Sequence, residues 1–187
     1  MPATAEALYY VRHPKPEVVR EIWKRLEKAA AGAAMASETS VSTELISGAY
    51  GTLPNMTLGR IADMYLREVG GFSYTPDEAS YAARLSETLP SGGRVGKGGP
   101  VLIEPFVEGV KISDSSDLGD VSWVSPTVQI GTAIWVAGTP PHSWQAVTAS
   151  GSSIGMKGAI MAAKTLALTA ADLFRNPAKP GGSAGRV

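Results

Sequence analysis

The stretch Gly138 to Phe174, GTPPHSWQAVTASGSSIGMKGAIMAAKTLALTAADLF, decides the predicted fold of this chain. It follows Thr127 to Ala137, a nearly continuous apolar run rich in β-branched residues, which is typical of a strand buried on both faces. It ends in Ile154 to Phe174, which is apolar on almost all sides and predicts a helix. Its few charged residues form one narrow stripe, so most of this helix should pack against protein.

His142 lies in the loop that joins this predicted strand to this predicted helix. Pro140 and Pro141 restrict the backbone just before it, and loops beyond the carboxyl ends of buried strands are where α/β folds hold ligands. A structural histidine, hydrogen-bonded to a backbone carbonyl, is the alternative. The chain has no cysteine and only one other histidine, His13, so we do not expect a complete zinc site within it.

Composition limits the classes of partner. Seventeen basic residues balance seventeen acidic ones, which removes the positive surface expected of a general nucleic-acid or anionic-membrane binder. The absence of cysteine excludes disulfides and fits a cytoplasmic protein. No basic segment followed by an apolar core opens the sequence, and Lys164 interrupts the last helix. We therefore expect neither nucleic acid nor membrane as a partner.

The N-terminal part has the pattern of a strand, a helix and a second strand. The first strand is predicted at Ala7 to Arg12, the helix at Pro16 to Met35 and the second strand at Thr39 to Ser47. This order is half of a ferredoxin-like α/β sandwich. A further helix is predicted after a cap at Asn55 or Thr57.

Capping signals mark two more helices. Thr75-Pro-Asp-Glu78 is a capping box with proline at the first helical position, and it predicts a helix that reaches about Leu89. Ser152 or Ser153 is suited to cap the last helix. Residues 176–187, rich in proline and glycine, have the composition of a disordered tail.

Two other patterns invite a functional interpretation. The glycine-rich run Ser91 to Pro100 is not a phosphate-binding loop, because Gly98 replaces the Ser or Thr that would hold magnesium and a helix precedes it. Asp114, Asp117 and Asp120 recur every three residues, as ligands on a helical turn would. Gly119 and the neighbouring serines favour loop or cap roles for these carboxylates instead.

The string GDVSWVSPTVQIGTAIWVAGTPPHSWQAVTASGSSIGMKGAIMAAK, from Gly119 to Lys164, resembles the C-terminal part of the zinc-dependent amidohydrolases that include aminobenzoyl-glutamate hydrolases. These enzymes belong to the aminoacylase and carboxypeptidase superfamily. The resemblance extends more loosely from about Leu8 to the end of the last helix. It implies an α/β fold, made of a partial metallo-aminopeptidase-like catalytic domain and half of a ferredoxin-like lid and dimerisation domain.

By this resemblance, residues 1–53 are the partial lid, residues 54–175 the C-terminal part of the catalytic domain and residues 176–187 the tail. The resemblance makes His142 a metal ligand and gives Asp117 and Asp120 a supporting role beside the metal site. In the family the other ligands and a catalytic Glu come from an N-terminal half of the catalytic domain. We expect that half to be missing here, so no residue of this chain is assigned as catalytic.

The implied function is metal-dependent hydrolysis of the amide bond in N-acyl or aminobenzoyl amino acids or small peptides. Zinc or another divalent metal would be the cofactor of the complete enzyme, and this chain alone should bind none tightly and be inactive. We expect a homo-oligomer formed through the lid and, as a second partner, the missing N-terminal catalytic segment. The alternative is a non-catalytic, truncated module for dimerisation or interaction.

Overall fold

The computed structural model describes residues 4–90, 99–109 and 116–177. The glycine-rich residues 91–98, Asp114 and residues 178–187 of the predicted tail lie outside the described residues. The described part contains six α-helices and a short 3-10 turn at Gly99–Val101. The helices are α1 Pro16–Ala36, α2 Met56–Val69, α3 Pro76–Ser86, α4 Leu118–Val124, α5 Trp144–Ser150 and α6 Ser153–Arg175.

Local capping explains where three predicted helices begin. The Asn55 side chain accepts the Leu58 N–H at the start of α2, as predicted. Thr75 and Glu78 form the predicted reciprocal capping box of α3, which ends at Ser86 rather than near Leu89. At the start of α6, the Ser152 hydroxyl accepts a backbone N–H. Each of these helix starts is set by a side chain that accepts a backbone N–H two or three positions further along the chain.

The predicted α/β fold with a ferredoxin-like lid is wrong. The structure forms helices only, and the described residues contain no strand. A strand exists only when a neighbouring segment takes its backbone hydrogen bonds. Within the described part, residues 7–12, 40–47 and 128–135 make no backbone hydrogen bond to one another or to any other segment. Their β-prone sequence is therefore not sufficient to build a sheet here.

The chain divides into two compact units. Unit 1 comprises Met1–Leu53 and Ser113–Ser125, and unit 2 comprises Pro54–Ile112 and Pro126–Val187, each described over the ranges given above. In unit 1 the loop before α2 is tied to α4. Tyr50 N–H donates to Asp120 Oδ1 at 2.8 Å, and the Trp123 indole donates to the Gly51 carbonyl at 2.9 Å. This binds segments about 70 positions apart in sequence into one unit.

Unit 2 is built around α6, against which α2 and α5 pack. Its buried apolar cluster draws on α3, α5, α6 and the segment before His142; its members are Ala82, Leu85, Val136, Ala149 and Ile154. Gly158 lets α6 approach that segment closely, because a Cβ at this position would lie 2.4 Å from the Ala133 carbonyl oxygen. None of the described helices is both long and apolar enough to cross a membrane.

Substitution of Gly158 by alanine should therefore destabilise unit 2, although alanine favours helices. The added methyl group must displace the backbone at Ala133, and such overpacking costs about 1–3 kcal/mol. The check is the midpoint of thermal unfolding. Gly151→Ala is the control, because its added Cβ would meet its nearest neighbour, the Val147 carbonyl oxygen, at 3.7 Å, an ordinary contact. Equal midpoints for the two variants would contradict the tight packing at Gly158.

Candidate functional site

The candidate site is the loop that carries His142, between Pro140 and the start of α5. Ser143 caps α5 by accepting the Ala146 N–H at 3.1 Å, while its own hydroxyl donates to the Pro140 carbonyl at 2.7 Å. Two hydrogen bonds on one side chain thus close the loop on both sides of His142. The loop backbone is held in place even though no strand precedes it within the described residues.

His142 is exposed and has a backbone φ of 58°, in the left-handed region that few residues other than glycine adopt. Its imidazole makes no hydrogen bond to any residue in the described ranges, so the backbone bond expected of a structural histidine is not formed. The conformation therefore presents the imidazole rather than burying it.

The described residues do not fit a complete catalytic zinc centre. Such a centre usually takes three protein ligands and keeps a fourth position for water. Within the ranges that the structure describes, no three His, Cys, Asp or Glu side chains come together in a way that could hold a metal ion. His142 can offer at most one ligand, and any others must come from elsewhere.

The predicted supporting residues Asp117 and Asp120 lie in unit 1, as does the second histidine, His13, and each has a local partner. Asp120 accepts the Tyr50 N–H, as described above. Asp117 is exposed at the N-terminal end of α4, where its side chain makes no capping bond to the helix, although the Ser116 hydroxyl lies 3.4 Å from its Oδ1. His13 accepts the Lys15 N–H through Nδ1 at 3.0 Å. A supporting role of Asp117 and Asp120 beside a metal stays a prediction.

Sequence reasoning missed a polar cluster on Glu78 in unit 2. Glu78 is only 8% exposed, and besides the Thr75 N–H it accepts the Ser153 hydroxyl at 2.7 Å. The Lys157 ammonium pairs with the same carboxylate and also donates to the Ser73 carbonyl at 3.2 Å. The capping box and the helical spacing of Lys157 were visible in the sequence, but their meeting was not.

This cluster is a structural joint rather than a reacting group. The Lys157 ammonium, followed by the Ser153 hydroxyl and the Thr75 N–H, lowers the pKa of Glu78 from 4.5 to about 2. A carboxylate that stays ionised and already accepts three donors is a poor general base at neutral pH. Glu78 therefore ties the beginning of α3 to the first turns of α6.

The pH dependence of unfolding tests this joint. Because the pKa of Glu78 is lower in the folded chain, its contribution to stability is present above about pH 4.5 and is lost as the pH falls towards about 2. Glu78→Gln should lower the unfolding midpoint at pH 7, and the difference from the unaltered chain should shrink towards pH 2. Asp77→Asn, an exposed neighbour in the same turn, is the control and should change little. A pH-independent difference for Glu78→Gln would refute the joint.

A shallow groove of about 240 Å³ lies near the His142 loop and is lined by residues of α3, of the turn that follows α3 and of α5. Its lining residues are Tyr81, Arg84, Leu85, Thr88, Trp144 and Thr148. The Trp144 side chain in its lining is largely exposed. The groove is open and adds no metal-ligating side chain to the site.

Comparison with known proteins gives one informative similarity. No family model matches the chain, and no solved structure matches it significantly. The chain is 33% identical, over 195 residues, to a p-aminobenzoyl-glutamate hydrolase subunit of Escherichia coli strain K12, and the match covers 92% of the chain. It spans 40% of the length of that relative. The resemblance predicted from the sequence is confirmed, and the 40% share fits a chain that corresponds to one portion of the relative.

Proposed function

We infer, from a similarity that covers nearly the whole chain, that it forms part of a metal-dependent amidohydrolase. The proposed substrates are N-acyl or aminobenzoyl amino acids or small peptides, cleaved at the amide bond. The observation that carries the proposal is the 33% identity over 92% of the chain to a protein named as a p-aminobenzoyl-glutamate hydrolase subunit. Because the chain spans only 40% of that relative, we assign the activity to a larger assembly.

His142 is the residue of this chain that we place at the metal. Its support is an exposed imidazole without an internal hydrogen bond in the described structure, on a loop that Ser143 holds closed. Bound zinc, or another divalent ion, would polarise the amide carbonyl and activate water. Since the described residues supply no further ligand set, we place no catalytic step in this chain. Asp117 and Asp120 would act only on the surroundings of the metal.

The relative is named as a subunit, and we propose that this chain also works with partner polypeptide. Residues 54–175 would be the C-terminal part of the catalytic domain, and residues 1–53 would contribute to a homo-oligomer. A cytoplasmic location is part of the proposal, supported by the absence of cysteine. Nothing in the balanced charge of the chain favours nucleic acid as a further partner.

The test compares the chain alone with a chimera in which it replaces the matching segment of the E. coli relative. We expect no hydrolysis of p-aminobenzoyl-glutamate by the chain alone, with zinc, manganese or cobalt added, and clear hydrolysis by the chimera. His142→Ala should reduce the activity of the chimera by more than about 100-fold, because even partners of metal ligands cost about 10- to 100-fold when mutated. Bound metal, measured by elemental analysis, should fall as well.

His13→Ala is the matched control, since it removes the only other histidine and should leave the chimera active and metal-loaded. Hydrolysis by the chain alone that disappears in His142→Ala would show a complete site in this chain and refute its proposed inactivity. A folded chimera that binds metal but hydrolyses neither p-aminobenzoyl-glutamate nor a panel of N-acyl amino acids would favour the non-catalytic interaction module instead.

A further inference from the structure

One side of α6 carries an apolar stripe that nothing in the described structure covers. Its members recur at intervals of four and three residues, which places them along one line of the helix. This outer stripe consists of Met156, Ile160, Ala163, Ala167, Ala170 and Phe174, all exposed. Met156 is 61%, Ile160 52% and Phe174 88% exposed.

The opposite side of α6 is already packed. Its buried residues, which include Ile154, Gly158, Met161, Thr165 and Thr169, face the core of unit 2. No charged residue lies within the outer stripe. Leu166, a further exposed apolar side chain, flanks one edge, and the exposed Lys164 flanks the other. A surface helix usually turns a polar face to water, whereas a helix that is apolar on both sides is normally buried on both. We therefore expect a partner to cover the outer stripe.

The numbers of buried and exposed apolar residues in the described part of the chain also indicate that a partner covers some of its surface. Nine hydrophobic residues of the described part are buried, whereas 23 large hydrophobic side chains are exposed. Scattered exposed apolar residues are normal, but a contiguous apolar surface marks an interaction site. From Met156 to Phe174 the outer stripe runs for about 27 Å, at 1.5 Å per residue.

We propose that the outer stripe of α6 is the docking surface for the part of the hydrolase that this chain does not represent. The inference rests on the proposed function, since its occupant is polypeptide equivalent to the 60% of the relative outside the share that the chain spans. That occupant should present an uncharged, apolar face. The alanines at 163, 167 and 170 let its backbone come close, while Ile160 and Phe174 project into it.

The small area of the outer stripe argues against a second copy of the chain as the partner that covers it. A stable interface buries about 800 Å² on each partner. A stripe about 27 Å long on a helix about 10 Å across offers only roughly 270 Å². Two copies joined along the outer stripe alone would therefore form a weak dimer. A partner as large as the unmatched part of the relative can cover the stripe and the apolar surface beside it.

Thiol labelling tests the proposal directly, because the chain has no cysteine of its own. Ile160→Cys and Ala167→Cys each place a single thiol in the outer stripe, and Glu87→Cys places one at the exposed position just after α3 as the control. The rate of maleimide labelling at each position is measured by peptide mass spectrometry, in the chain alone and in the chimera. Relative to Glu87→Cys, both stripe positions should label at least about 10-fold more slowly in the chimera.

Circular dichroism first establishes that each variant is folded, and two stripe positions ensure that one misfolded variant does not decide the result. Equal labelling in the chain and the chimera would overturn the proposal, as would protection in the chain alone that grows with its concentration together with a dimeric mass by light scattering. The outcome is separable from that of the proposed function. An active chimera with unprotected stripe thiols would refute the docking surface only, whereas protection in an inactive chimera would support the surface and count against the enzyme.

Discussion

The ion pair between Lys157 and Glu78 attaches α3 to α6 within unit 2. It joins residues 79 positions apart and fixes the start of α3 against the first turns of α6. The same carboxylate caps α3, so one side chain both begins a helix and attaches it to another. With α3 and α6 joined at this point, Leu85 and Ile154 can share one apolar cluster. A half-buried ammonium without this partner would carry a desolvation cost with no compensation.

The frame that this joint supports also holds the candidate site. Ala149 of α5 belongs to the same cluster, and Ser143 at the start of α5 closes the loop around His142. The exposed imidazole is thus carried on a loop that the two hydrogen bonds of Ser143 hold closed. His142 on its loop and the outer stripe of α6 are both exposed.

Residues 128–135 show that a β-prone sequence does not by itself form a strand. It is apolar, β-branched and half-buried for most of its length, yet its backbone forms no ladder within the described part of the chain. Side-chain preference for strands is a preference for a pleated, packed surface and not for a conformation in isolation. The wrong prediction of an α/β fold came from assigning strands without a segment to pair them.

The sequence by itself determined the helices with strong ends and the family resemblance. Asn55, Thr75 and Ser152 act on groups two or three residues away, so their effect can be read without knowing the fold. The short helices α4 and α5 were missed, although Ser143 was a usable cap signal for α5. Tertiary structure alone decided that Lys157 meets Glu78 and that His142 is left without a partner among the described residues, because each depends on segments far apart in sequence. The same holds for α6, whose sequence is apolar on almost all sides, while only the packing of unit 2 decided which side is buried and which is exposed.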